Sequence, residues 1–257
     1  MALPSGEDVA NRLHMGCKDK AEKKARLAVC TIACGQEQSV GCGVLVSDQH
    51  VVDLELSEHC IITINEVVHA SKNKTFKGKY QATFQKNHSK PKTLDLQNIT
   101  KKLMRTASGL VLIFLNSSCI DLNHKDKKCS ILSESPLSIG SPCHSSPLFC
   151  FVENQRYNVA KSTGENGEEC VLKADGDTAK SASVSAKEIP QGTVILQYDA
   201  DDKNLMAVGI FKVVNKKHFS PIWFKSSLND LLGKLYSSFC TFHYISKGLD
   251  NECKMSV

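Results

Sequence analysis

The chain has one tryptophan, and aromatic residues make up only 6% of its 257 positions. That scarcity matters because single-stranded nucleic acid is held by base stacking on aromatic side chains as well as by cations. No Cys-x-x-Cys pair occurs, and groupings such as Cys30-x-x-x-Cys34 and Cys143-His144 lack the ligand spacing of a zinc site. No phosphate-cradling G-x-x-x-x-G-K-[ST], dinucleotide G-x-G-x-x-G, metalloprotease H-E-x-x-H or kinase signature is present. Nucleotide, cofactor and metal chemistry are therefore not expected. The longest apolar run, Gly109 to Leu115, is too short to cross a bilayer, so no membrane association is expected. Residues 1–16 contain acids and no apolar block, unlike a secretory signal. No internal repeat and no low-complexity tract interrupts the chain.

What is present is globular. Apolar residues are 41% and charged residues 23%, enough to bury a sizeable core. Twelve irregularly spaced cysteines without a signal peptide read as mostly reduced thiols, which points to the cytoplasm or nucleus. The net charge of +5 is unevenly placed. From Ser71 to Arg105 there are ten Lys/Arg and one acid, Asp95, a balance of +9. From Glu165 to Asp202 there are nine acids and three lysines, a balance of −6. The basic stretch, with Lys72, Lys74, Lys77 and Lys79 at its start, predicts a binding surface for an acidic partner, protein or nucleic acid.

Along the chain the pattern is mostly that of short strands. Residues 1–26 form a lead-in that ends in a basic surface helix, Lys18 to Arg26, where Glu22 faces Arg26 at the favourable spacing. Leu27–Ala33 is a strand. Val44–Val46, a polar Ser47-Asp48-Gln49 turn and Val51-Val52 suggest a hairpin. Gly41-Cys42-Gly43 is a tight-turn or close-packing element. Ile61–Val68 is a strand, and Tyr80, Ala82 and Phe84 follow a two-residue alternation. Leu94–Leu103 fits a short helix or a strand. Leu110–Leu115 is wholly apolar, so it is expected to be covered on both faces. A crossover is placed near 117–142. Leu148–Val152 with Tyr157–Lys161, Cys170–Leu172, and Thr193–Tyr198 with Leu205–Val214 supply the second half. Ile222 to Leu235 has helical periodicity, and residues 237–257 form a tail.

About a dozen short strands, two halves and a closing helix describe an all-β fold of two six-stranded antiparallel β-barrels over residues 27–236. At this point the sequence resembles the trypsin-like serine proteases. Cys42-Gly43-Val44-Leu45-Val46-Ser47-Asp48-Gln49-His50-Val51-Val52 is similar to the strand-turn-strand before their catalytic histidine. Leu110–Leu115 resembles the strand that begins at their aspartate, and Gly192–Phe211 the hairpin that begins at their nucleophile. The resemblance implies a hydroxyl nucleophile, a histidine base and a carboxylate that fixes the histidine tautomer.

The departures from that pattern shape the functional expectation. The histidine position falls on His59 if two residues are inserted, and on Leu56 if none is. The aspartate position falls on Gly109, with Asp95 and Asp121 too far along the chain to replace it. The nucleophile falls on Pro190, which has neither a hydroxyl nor an N–H. A rival register places Thr178 there, after Gly176-Asp177. The Ile-Val-Gly-Gly activation sequence is missing. The expectation is a non-catalytic intracellular binding or scaffold protein. The alternative is a serine-type endopeptidase using His59 with Ser183, Ser185 or Thr178.

Overall fold

The computed structural model describes residues 18–35, 39–47, 59–69, 76–86, 89–116, 136–143, 146–152, 155–164, 167–174, 189–199, 204–215 and 218–231. Two mostly antiparallel sheets carry the chain. The first contains β1 (Val29–Cys34), β2 (Ser39–Val46), β3 (Cys60–Ile64), β4 (Tyr80–Lys86), β5 (Ser89–Asp95), β6 (Thr100–Arg105) and β7 (Leu110–Leu115). Its order is β5-β4-β1-β2-β3-β7-β6. The second contains β8 (Ser138–Ile139), β9 (Leu148–Val152), β10 (Gln155–Gly164), β11 (Gly167–Ala174), β12 (Val194–Tyr198), β13 (Leu205–Asn215) and β14 (His218–Trp223). Its order is β12-β9-β10-β11-β14-β13-β8, and β12 also pairs with β13.

Strand formation follows the apolar alternation. On β4, Tyr80, Ala82 and Phe84 are buried while Gln81 and Gln85 are exposed. On β1, Cys30 and Ile32 are buried and Thr31 is exposed. β7 is buried at all six positions because both of its faces are covered. Between β5 and β6, the residues Leu96–Ile99 form one helical turn that buries Leu96 and Ile99. Asp95 caps it by accepting from the Gln97 N–H at 3.0 Å. The segment therefore pairs with β4 before the turn and with β7 after it.

One apolar cluster joins the two sheets. It combines Ile32, Val44, Ile61, Leu112 and Phe114 of the first with Phe149, Leu196, Tyr198, Ala207 and Ile210 of the second. A separate cluster, with Cys150, Ile195, Val208, Phe211 and Phe219, fills the second sheet. β12 serves both: Val194, Leu196 and Tyr198 face the shared cluster and Ile195 the other. Gln197 is fully buried between them, and its amide holds the 143–146 segment through the Cys143 N–H at 2.8 Å and the Cys143 and Ser146 carbonyls at 2.6 Å each.

Helical residues 18–28 run directly into β1 and lie against the second sheet. The Glu22 carboxylate accepts from Arg156 at 2.6 Å and from the Tyr198 hydroxyl at 2.9 Å. Arg156 and Arg26 sit over the Phe149 and Phe151 rings at 4.1 and 4.2 Å. Ala21, Ala25, Leu27 and Ala28 are buried beneath.

Several expectations are corrected. Leu27 and Ala28 belong to this helix, which is docked rather than merely superficial. The strand expected over Ile61–Val68 stops at Ile64, because the Val67 and Val68 N–H groups both turn back to the Ile64 carbonyl at 3.0 Å. Leu94–Leu103 is strand, helical turn and strand in succession. Ile222 and Trp223 end β14, and the helix occupies 224–231, burying Phe224, Ser227 and Leu228. The all-β architecture with a closing helix holds. Among the described residues each sheet contains seven strands, and the pairing order of the first has two ends, β5 and β6. The Val51-Val52 strand and most of the crossover and tail lie outside the described residues.

Gly192 has φ +78°, and a Cβ there would meet the Cys42 carbonyl oxygen at 2.4 Å. Gly35 has φ +65° with open space around it. Gly192→Ala is expected to cost about 3 kcal/mol, from backbone strain plus overpacking, and Gly35→Ala only about 1 kcal/mol. Urea denaturation of the two variants checks this.

Candidate functional site

The sheets meet where the turn after β3 and the turn before β12 press against β2. The Cys42 N–H donates to the Gln191 carbonyl at 2.8 Å, and Thr63 Oγ1 donates to the Cys42 carbonyl at 2.7 Å. A Cβ on Gly41 would lie 2.4 Å from both the Gln191 oxygen and Val67 Cγ2. Glycine at position 41 is what lets the two turns close on β2. The expected close-packing role of Gly41-Cys42-Gly43 is visible in that contact.

Gly109, at φ +97°, begins β7 beside the same seam, and its carbonyl accepts the Asn65 N–H at 3.0 Å. The adjoining Ser108 hydroxyl bonds Thr106 at 2.7 Å and Ser227 of the closing helix at 2.8 Å. Pro190 and Gln191 form the facing turn. The Gln191 side chain takes the place of a strand partner for Val213, accepting its N–H at 2.9 Å and donating to its carbonyl at 3.0 Å. The Gly192 N–H donates to the Phe211 carbonyl and the Thr193 N–H to the Pro190 carbonyl. Both donors are already engaged, so they do not form an anion-stabilising pair like the one acyl transfer requires.

His59 is not at this seam. β2 pairs with Cys60–Ile64, so His59 precedes that strand, while Gly109 lies beyond its other end. Six residues of extended chain separate His59 from Asn65, about 20 Å. The His59 carbonyl instead accepts from the Leu115 N–H. The side chains that follow β3 are Asn65, Glu66 and Val67.

Glu66 supplies what stands in the seam. Its Oε1 pairs with Lys212 Nζ of β13 at 2.6 Å, an ion pair that spans the two sheets. The side chains are 32% and 44% exposed, so solvent screens the pair. Glu66 Oε2 is buried and has no hydrogen-bond partner among the described residues. Neither residue is legible as a pair in the sequence, since nothing local links position 66 to position 212.

The other expected residues scatter. Asp95 is spent as a helix cap, with its second oxygen accepting from Asn98 at 3.2 Å. Leu56, Asp121, Thr178, Ser183, Ser185, Lys72 and Lys74 lie outside the described residues. Lys77 and Lys79 are exposed, as are Lys101, Lys102 and Arg105 on β6.

No protein-family model matches the chain, and no curated protein matches it. Among solved structures it is similar to a serine endoprotease from Yersinia pestis, at 11% identity and a TM-score of 0.44, over 91% of this chain and 68% of that one.

Glu66→Gln and Lys212→Met are each expected to cost about 1 kcal/mol, with a coupling of about 0.5 kcal/mol that shrinks in salt. A double-mutant cycle in urea at low and high salt measures it. A second expectation concerns the thiols. Burial pushes Cys42 up to about 11 from its ordinary 9.0, a hydrogen bond with Thr193 partly opposing it. Burial also raises Cys30, with the neighbouring Cys42 adding to the rise, and it raises Cys60. Below about pH 9 these thiols are protonated in both folded and unfolded chains and do not favour unfolding. Above it the unfolded chain ionises first, so stability falls as pH rises toward 11. Urea midpoints measured from pH 8 to 11 should decline, and a Cys42→Ala variant should decline less steeply.

Proposed function

We propose that the chain is a trypsin-like double-barrel protein that lacks a proteolytic centre and acts by binding. Strand pairing supports the barrel reading. β12 pairs on both sides, which returns the second sheet on itself through six strands, while the first sheet, among the described residues, stays open at β5 and β6. The observation that carries the functional part is the Glu66–Lys212 pair, which joins the turn after β3 to β13 one residue from Phe211, whose carbonyl accepts the Gly192 N–H. A nucleophile, a base and an orienting carboxylate would all have to converge there.

Binding is assigned to the basic 71–105 segment. Its described cations Lys77, Lys79, Lys101, Lys102 and Arg105 are exposed, and Lys72 and Lys74 belong to the same run. The partner is acidic. The described free thiols Cys30, Cys34, Cys42 and Cys60 fit a reducing compartment, cytoplasm or nucleus.

A fluorophosphonate probe tests the non-catalytic reading. No serine or threonine should be labelled, and Pro190→Ser should not create labelling. Labelling that disappears in His59→Ala would establish the endopeptidase instead.

A further inference from the structure

The first sheet ends on a strand whose exposed side chains are all cations. β6 pairs with β7 along one side, and among the described residues no strand pairs with the other. Lys101, Lys102 and Arg105 are exposed along it, while Leu103 and Met104 are buried. A register shift between Thr100 and Lys102 bulges the strand, so two consecutive lysines both reach solvent. Lysines and a bulge at a sheet edge oppose pairing with a second copy of the same strand, because like charges would face each other. The same features favour a strand of opposite charge.

Two kinds of acidic partner can be told apart by what surrounds the cations. Tyr80 and Phe84 are 3% and 4% exposed, and Phe76 packs against the core. The aromatics of the basic segment are thus turned inward, leaving no stacking surface for bases. A sheet edge does offer a row of backbone N–H and C=O groups. The geometry points to an extended acidic peptide segment that adds to β6 as a further strand. Its carboxylates lie against Lys102 on one face of the sheet and Arg105 on the other, since strand residues three apart project to opposite faces. This assignment rests on the binding reading above and names the chemistry of its partner.

The test uses the full chain and a fluorescent nine-residue peptide of glutamate, valine and threonine, with glutamates at both odd and even positions so that carboxylates project from both faces, followed by anisotropy. Binding should weaken about tenfold or more in Lys101→Glu/Lys102→Glu/Arg105→Glu, and little in Lys77→Glu/Lys79→Glu. It should also be lost when alternate backbone nitrogens of the peptide are methylated, since these can no longer donate to the edge. In the unmodified chain, amide exchange over Thr100–Arg105 should slow when the peptide is bound. Equal binding of the methylated peptide, or preference for a single-stranded oligonucleotide of equal charge, overturns the edge assignment. Loss in the Lys77/Lys79 variant alone also overturns it, while leaving the broader binding reading intact. Mass spectrometry of the recovered peptide separates the two failures: a cleaved peptide removes the non-catalytic reading, whatever the edge does.

Discussion

The Cys42 N–H and the Gln191 carbonyl meet at 2.8 Å across the two sheets, and that short approach governs much of what surrounds it. It is possible only because Gly41 and Gly192 carry no Cβ, each of which would otherwise fall 2.4 Å from a backbone oxygen. Once the turns are that close, the Gly192 and Thr193 N–H groups find partners within the protein. Thr63 and Gln191 then satisfy neighbouring groups with their side chains. Most polar atoms buried in such a seam are paired. Asn65 Oδ1 and Glu66 Oε2, in the turn after β3, are buried without a partner among the described residues.

The charged pair at the edge of that junction has a different character. Glu66 and Lys212 are partly solvated, so their attraction contributes little to stability. Their importance is one of position: the pair links the turn after β3 to β13 and so ties one sheet to the other.

Strand identity was largely legible from sequence because alternation and apolar runs report burial directly. Leu110–Leu115 and Tyr80–Phe84 are examples. Strand ends were less so. Val67 and Val68 are as apolar as Ile61 and Ile62, yet backbone bonds to the Ile64 carbonyl, not hydrophobicity, turn the chain there. Leu27 and Ala28 look like strand residues but complete a helix held by Glu22, Arg156 and Tyr198, contacts that no local pattern encodes. The same limit governed the site. Pro190 adjoins Gln191, whose carbonyl accepts the Cys42 N–H, and the Gly109 carbonyl accepts the Asn65 N–H in the turn after β3. His59 stands before β3, at the end of that strand opposite to the 65–67 turn.

The Glu22 carboxylate bonds residues 134 and 176 positions further along the chain. On a ribosome, the partners of helix 18–28 emerge long after the helix itself. The strands of the first sheet, all between Val29 and Leu115, are complete before Tyr198 has been made. Closing so long a loop carries an entropic cost that only the finished second sheet can offset. Helix 18–28 is therefore among the last of the described elements to lock, and its docking reports that the chain has been assembled through Tyr198.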